Sequence, residues 1–256
     1  IDTCDLDVSG EWLAFGSVKT GQLLVWEWAS ESYILKQTGV TSGSALGLTA
    51  SAYAPDGQMI ATGAGDGKIR LWLGDRGGEC IAVFTEHVAP ITALAFTKQG
   101  HVLVSASQDG SVRAFDVIRF RSFRQLVPPQ PVQFSCLAVD ASGEVVAAGT
   151  LDTNEIFLWS LKTGQLIESF SGHMGPISTL AFEPTRGRLL ASGSWDKSVR
   201  LWDIYAAPDA KSYCDPFDHD SSVLSLSFRP DGVELSVSVL SGKIMTWSVE
   251  GGLVLS

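Results

Sequence analysis

Two unrelated sequence features repeat along this chain with the same spacing, and that coincidence limits what it can fold into. An aromatic residue closes an apolar, alternating run at Trp26 (QLLVW), Trp72 (KIRLW), Phe115 (SVRAF), Trp159 (EIFLW), Trp202 (SVRLW) and Trp247 (KIMTW), with gaps of 46, 43, 44, 43 and 45 residues. A glycine flanked by polar residues recurs at Gly10, Gly57, Gly100, Gly143, Gly187 and Gly232, with gaps of 47, 43, 43, 44 and 45 residues. Composition alone does not make two independent registers drift together. A structural unit of about 43 residues, used six times in 256, does.

Each unit holds strand-length apolar runs separated by turn signals. In the fifth these are PISTLAF, RLLASGS and SVRLWDI, with a fourth run expected after Lys211. No segment carries a helical period with caps. A lone four-stranded sheet has two apolar faces and cannot bury both, whereas sheets stacked face to face bury each against a neighbour. The expected fold is therefore all-β: a WD-repeat β-propeller with six repeats, at about 1–40, 41–86, 87–129, 130–170, 171–215 and 216–256. A six-bladed ring and a seven-bladed ring with one blade outside this chain both fit. The start at Ile1 rather than Met suggests a piece of a longer protein.

The fifth unit carries a complete set of polar groups, Gly172-His173, Ser192, Asp196 and Trp202-Asp203. In WD repeats such His, Ser/Thr, Asp and Trp residues form a hydrogen-bonded chain inside the blade, so the resemblance assigns these structural roles to His173, Ser192, Asp196 and Trp202. The chemistry is sound, because a buried indole N–H needs an acceptor and an imidazole can link a hydroxyl to a carboxylate. Partial sets recur in phase: His87, Ser105 and Asp109 with Phe115 in place of Trp; Thr62, Asp66 and Trp72 without a matching His; His219 and Trp247 with Ser241 where Asp is expected. Ser, His and Asp together also raise a serine-hydrolase reading. Against it, no G-x-S-x-G elbow is present, and a catalytic set is not repeated around a fold with members missing.

Other features have plain explanations. GAGDG at 63–67 precedes no helix and is expected to be a tight turn between strands. Asp215, Asp218 and Asp220 read as a solvated loop, and His101 as a turn-proximal surface residue. Cys4, Cys80, Cys136 and Cys214 lie far apart with no ligand spacing, which suggests a reduced intracellular protein. No metal, cofactor or small-molecule substrate is expected, and no apolar run approaches the length of a membrane span. A net charge of −10 argues against free nucleic acid as the main ligand. One local exception is IRFRSFR at 118–124, where Arg119, Arg121 and Arg124 alternate with Phe120 and Phe123. Such a pattern suits single-stranded RNA, a protein contact, or an outer edge strand guarded by charge. The VPPQP stretch at 127–131 is a stiff connector that displaces the expected Gly-His pair of the fourth unit.

The details that depart from generic WD-repeat text carry a narrower resemblance. GQLLVWEW with SESYILKQ (21–37), YAPDGQMIATGAGDGKIRLW (53–72), TEH (85–87), VRAFD with RFRSFR (112–124), QFSCLAVDASGE (133–144), EIFLW (155–159), SGHMGPIS (171–178) and SWDKSVRLWD (194–203) resemble the periodic tryptophan protein 2 family. That resemblance implies a nuclear, nucleolar protein of the small-subunit processome, a ribonucleoprotein that contains the U-three small nucleolar RNA and processes precursor ribosomal RNA. It implies a non-catalytic building block whose partners are other WD-repeat proteins, with RNA contacts mostly indirect and no membrane. Family members are larger, with two propellers and a helical C-terminal region. The rival role within binding modules is another WD-repeat adaptor, either a ubiquitin-ligase substrate receptor or a chromatin adaptor.

Overall fold

The computed structural model describes residues 1–7, 9–27, 29–30, 32–37, 47–74, 78–206, 216–249 and 254–255. Among these residues there are strands and turns but no α-helix, and every strand belongs to one of six four-stranded antiparallel sheets. Blade 1 is β1 (Thr3–Leu6), β2 (Trp12–Gly16), β3 (Leu23–Glu27) and β4 (Ser32–Gln37). Blade 2 is β5 (Leu48–Tyr53), β6 (Met59–Ala64), β7 (Ile69–Leu73) and β8 (Cys80–Phe84). Blade 3 is β9 (Ile91–Phe96), β10 (Val102–Ser107), β11 (Val112–Asp116) and β12 (Arg121–Leu126). Blade 4 is β13 (Phe134–Val139), β14 (Val145–Thr150), β15 (Ile156–Ser160) and β16 (Leu166–Phe170). Blade 5 is β17 (Ile177–Phe182), β18 (Leu189–Ser194), β19 (Ser198–Asp203) and β20 (Phe217–Asp218). Blade 6 is β21 (Val223–Phe228), β22 (Glu234–Val239), β23 (Ile244–Ser248) and β24 (Val254–Leu255). In each blade the strands pair in chain order. This is the six-blade, all-β WD-repeat propeller class. The blades fall into two compact units, residues 1–131 and 132–256, with three blades in each.

The fourth strand of blade 5 lies at Phe217–Asp218, past the expected repeat boundary at 215. Lys211, Cys214 and Asp215 lie outside the described residues, and the fourth run expected after Lys211 is met only at Phe217 and Asp218. The reason for the late strand is local: β20 pairs with the start of β19, Ser198 opposite Asp218 and Val199 opposite Phe217.

The repeated glycine register has a direct backbone cause. Gly10, Gly57, Gly100, Gly143, Gly187 and Gly232 all take left-handed φ values between 59 and 76°. They close the turn between the first and second strands of each blade, a conformation that costs an L-residue about 1–2 kcal/mol. At Gly10, Gly57, Gly100, Gly143 and Gly232 the N–H returns to the carbonyl three residues earlier. GAGDG likewise forms the β6–β7 turn, with the Gly67 N–H donating to Ala64.

Within each unit, neighbouring blades lock together in two layers. In the first layer, the second strand of a blade offers a glycine beneath the first strand of the next. A Cβ built on Gly63 would lie 2.5 Å from Ile91 Cγ2, one on Gly149 2.6 Å from Ile177 Cγ2, and one on Gly193 2.5 Å from Val223 Cγ1. Gly16 faces Leu48 in the same way. Beside three of these sockets a hydroxyl from the first strand clips both blades. Ser178 Oγ donates to Gly193 O (3.1 Å) and Val223 O (2.7 Å), and Thr49 and Ser135 bond equivalently to Gly63 and Ile91, and to Gly149 and Ile177. In the second layer, a phenylalanine at the end of one blade's outer strand stacks on the aromatic register of the next. Phe84 meets Phe115 (4.5 Å), Phe170 meets Trp202 (5.0 Å, 10°) and Phe217 meets Trp247 (4.5 Å, 18°). Such pairs add about 0.5–1.5 kcal/mol beyond the apolar area they bury. In blades 3, 5 and 6 the periodic aromatic is thus the anvil on which the preceding blade's outer strand rests.

Candidate functional site

In blade 5 the structure brings His173, Ser192, Asp196 and Trp202 into one continuous hydrogen-bonded chain. The Trp202 indole N–H donates to Ser192 Oγ at 2.8 Å, Ser192 Oγ lies 2.8 Å from His173 Nε2, and His173 Nδ1 lies 2.9 Å from Asp196 Oδ2. The Asp196 carboxylate only accepts, so Nδ1 carries the ring proton, Nε2 accepts, and the Ser192 hydroxyl donates to it. Burial pushes the His173 pKa below the usual imidazole value, against the pull of Asp196, and this keeps the ring neutral. For Asp196, burial pushes upward, but bonds from the Ser198 hydroxyl, the Met174 N–H and His173 outweigh it and bring the carboxyl down to about 2.

Blade 3 repeats the core of this chain. His87 Nε2 is 2.7 Å from Ser105 Oγ and His87 Nδ1 is 2.7 Å from Asp109 Oδ2. Asp109 is also held well below the usual carboxylate range: burial opposes this, but the His87 and Ser111 hydrogen bonds prevail. Phe115 offers no N–H, so the chain there ends at Ser105. In blade 2 the Trp72 indole donates to Thr62 Oγ1 at 2.8 Å, and Asp66 instead accepts from Arg70 Nη2 at 3.1 Å. Blade 6 is short-circuited. The register residue opposite Met245 is Val237 rather than a hydroxyl, and Trp247 donates directly to His219 Nε2 at 3.2 Å. His219 Nδ1 donates to Phe217 O at 2.9 Å, and Ser241 bonds Asp220. Blade 4 carries Ala148 opposite Phe157 and packs Trp159 against Phe134 (5.9 Å) and Phe157 (5.8 Å). There an aromatic cluster replaces the polar chain.

Sequence reasoning overlooked four serines that complete these networks. Ser198 and Ser111 donate to Asp196 and Asp109 at 2.7 Å, while Ser194 and Ser107 accept from the N–H of Asp196 and Asp109 at 3.1 Å. The signal was present as S-x-D-x-S, at 107–111 and again at 194–198.

The order Ser–His–Asp and the tautomer match those of a hydrolase, but the accessibility does not. Ser192 and Ser105 are fully buried, and Ser192 Oγ already holds the indole N–H. Each unit has a cavity between two of its blades, one of about 200 Å³ at Glu183, Arg186 and Asp231 in residues 132–256, and one of about 390 Å³ at Trp12, Tyr53 and Asp56 in residues 1–131. Neither is lined by a member of the polar chains. Among the described residues no group of three or more His, Cys, Asp or Glu is placed to hold a metal, and no helix is long and apolar enough to cross a membrane.

The patch at 118–124 divides between two elements. Ile118, Arg119 and Phe120 form the turn after β11, and only Arg121 onward belongs to β12, which ends its sheet. The strand expected from 118 is interrupted because Asp116 folds the chain back, accepting from the N–H groups of Ile118 and Arg119 and from Arg119 Nη1. Along β12, Arg121 and Phe123 are exposed, Arg124 is half-buried and Leu126 is buried. Phe120 is 47% exposed with a left-handed φ of 50°. His101 is exposed at a turn.

The family model for the WD domain, G-beta repeat, matches residues 35–72, 78–116 and 164–203. The third and fifth of the six chain repeats contribute the two most complete polar networks, and both lie largely within these matches. Among similar proteins, Periodic tryptophan protein 2 of Arabidopsis thaliana is 45% identical over 100% of this chain and 27% of its own length. The homologue in Schizosaccharomyces pombe is 51% identical over 98% of this chain and 28% of its own. Periodic tryptophan protein 2 of Saccharomyces cerevisiae is 48% identical over 98% and 26%. The chain thus spans about a quarter of the length of these relatives. Over nearly all of its residues the chain belongs with the periodic tryptophan protein 2 homologues, as a WD-repeat segment of that family.

Proposed function

We propose that this chain is a non-catalytic scaffold in ribosome biogenesis, a building block of the small-subunit processome required for small-subunit pre-rRNA processing in the nucleolus. The observation that carries the proposal is 40–51% identity to periodic tryptophan protein 2 homologues, sustained over nearly the whole chain. The side chains support it chemically. The groups that resemble a catalytic set are buried and saturated by one another, and the described cavities hold none of them. Stacked blades suit a scaffold because they hold many separate loop and edge surfaces on a rigid frame. Its partners are other WD-repeat proteins of the particle, with small nucleolar RNA and pre-rRNA nearby and mostly indirectly bound.

The test is sedimentation of the tagged full-length protein from nuclear extract, combined with depletion. The expected result is co-sedimentation with pre-ribosomal particles and, on depletion, loss of early small-subunit rRNA cleavages. A protein that sediments free of these particles, with cleavage unaffected by its depletion, overturns the proposal.

A further inference from the structure

The outer strand of blade 3 differs from those of its neighbours. In β8 (CIAVF) and β16 (LIESF) there is no arginine or lysine, and β16 carries Glu168. In β12 (RSFRQL) there are Arg121 and Arg124, and Arg119 lies two residues before it. This basic segment sits on a chain of net charge −10.

The turn leading into β12 is the second anomaly. Four residues past the end of β15, blade 4 places Gly164 at φ 77°. Four residues past the end of β11, blade 3 places Phe120 at φ 50°. A bulky aromatic in this region costs about 1–2 kcal/mol relative to glycine, and the ring is left 47% exposed. Exposed Ile118 (64%) and Phe123 (41%) flank it. Backbone strain combined with exposure of apolar rings points to a surface kept for contact.

The third observation is the strand edge. β12 pairs with β11 alone in its sheet, so one row of its backbone N–H and C=O groups faces away from the blade. Six residues present about 20 Å of such edge. Arginine on an edge discourages pairing with another basic or neutral strand, and it attracts an acidic one.

We propose that β12 and its preceding turn are a docking edge for an acidic, aromatic or aliphatic peptide segment of a partner protein, which adds as a further strand to blade 3. The incoming backbone satisfies the open edge. Its carboxylates pair with Arg119 and Arg121, and its apolar side chains cover Phe120 and Phe123. The Arg119–Asp116 pair, with the Arg119 side chain 69% exposed, is worth little and exchanges readily. Single-stranded RNA is disfavoured. A peptide of a few residues feels only the charges within a Debye length of about 8 Å, whereas a polyphosphate extends over the acidic remainder of the surface. The open row is also complementary to a peptide backbone. This proposal rests on the scaffold role argued above and names the kind of partner that one edge takes.

The experiment uses purified full-length protein and three labelled probes: the peptide Glu-Val-Glu-Phe-Glu-Val-Glu, the same peptide with each Glu replaced by Lys, and a 12-nucleotide oligouridylate. Fluorescence anisotropy reads affinity, and hydrogen exchange reads protection of amides 121–126. The acidic peptide is expected to bind at least tenfold more tightly than the lysine peptide and to slow exchange in 121–126. Arg121→Glu and Phe123→Ser are each expected to weaken it at least tenfold. Phe120→Gly relieves the backbone, so it keeps the fold intact and still loses severalfold in affinity. Failure of the wild type to bind the acidic peptide, binding indifferent to these changes, or absence of protection at 121–126 overturns the proposal. Tighter, Arg121-dependent binding of the oligouridylate overturns it in favour of nucleic acid. Particle sedimentation reads the scaffold role separately, so its persistence alongside any of these failures condemns this inference alone.

Discussion

Replacing Ser192 with Ala is expected to cost more than replacing Ser105 with Ala, although both hydroxyls are fully buried. Ser192 Oγ holds two buried partners, the Trp202 indole N–H at 2.8 Å and His173 Nε2 at 2.8 Å. Ser105 Oγ holds His87 Nε2 at 2.7 Å, and Phe115 gives it no indole. A buried polar group left without its partner costs about 1–3 kcal/mol. Ser192→Ala strands two such groups and Ser105→Ala strands one, so the two changes should differ by about 1–3 kcal/mol, or roughly 5- to 150-fold in local opening. Hydrogen exchange measures this in the intact protein: amides of β17–β19 in one variant, and of β9–β11 in the other, each against wild type. A cycle with Trp202→Phe isolates the indole bond. In the Trp202→Phe background, Ser192→Ala should cost what Ser105→Ala costs. Equal opening free energies for the two single changes in otherwise wild-type protein would refute the linked-chain account.

Further outcomes follow from the same contacts. As pH falls, blade 5 should lose stability in two steps. The His173 pKa is depressed in the fold, so the unfolded chain takes up protons first and stability declines below about 6.5. Asp196 is held at about 2, so its contribution, complete above about 4, is lost between about 4 and 2. Asp196→Asn should shrink that lower step in the acid-unfolding profile followed by tryptophan fluorescence, leaving the part carried by Glu183 and Asp203, which the fold also holds low. Gly193→Ala should destabilise the contact between blades 5 and 6 by about 1–3 kcal/mol, since its Cβ would lie 2.5 Å from Val223 Cγ1. Val223→Ala added to it should cost less than the two changes summed. Lys197, at φ 72°, stands where the corresponding turns of blades 2, 3 and 6 have Gly67, Gly110 and Gly242, so Lys197→Gly should raise the unfolding midpoint, by about 0.5–1 kcal/mol in stability.

What was legible in the sequence was whatever repeats in register. The turn glycines declare themselves because a left-handed backbone admits few other residues. The Trp positions declare themselves because a large ring is wanted at each, and Trp202 and Trp247 both stack and donate. Less legible was whatever depends on a neighbour in space. That Gly193 is a socket is visible only once Val223, 30 residues later, is seen resting on it. The same holds for Phe170 and Trp202, whose stacking joins two repeats. The outer strand of blade 5 was legible only as a run somewhere after Lys211, because two residues, Phe217 and Asp218, carry too little pattern to fix a strand's bounds. In the patch, alternation of Arg and Phe suggested one strand from 118, whereas the Asp116 side chain, which periodicity ignores, turns the backbone first. The role of His219 was masked by an exchange of partners: with Val237 in place of a hydroxyl, the imidazole itself receives the indole proton.

The glycine sockets also give the chain a grain. Each is emptied by removal of the blade that follows it and untouched by removal of the blade before, so a cut after blade 1, 2, 4 or 5 exposes a trough shaped for a missing side chain. The residues at the same register in blades 3 and 6 are Ala106, opposite Val112, and Ser238, opposite Ile244. Those blades finish the two compact units, which are divided along the chain between Pro131 and Val132. Anyone dividing this chain for expression, splitting it into complementing halves or inserting a reporter should therefore choose the VPPQP connector, where severing the backbone strands no glycine. Division between blades 4 and 5, only about 40 residues further on, leaves Gly149 without Ile177, and the resulting half should be sticky and poorly soluble.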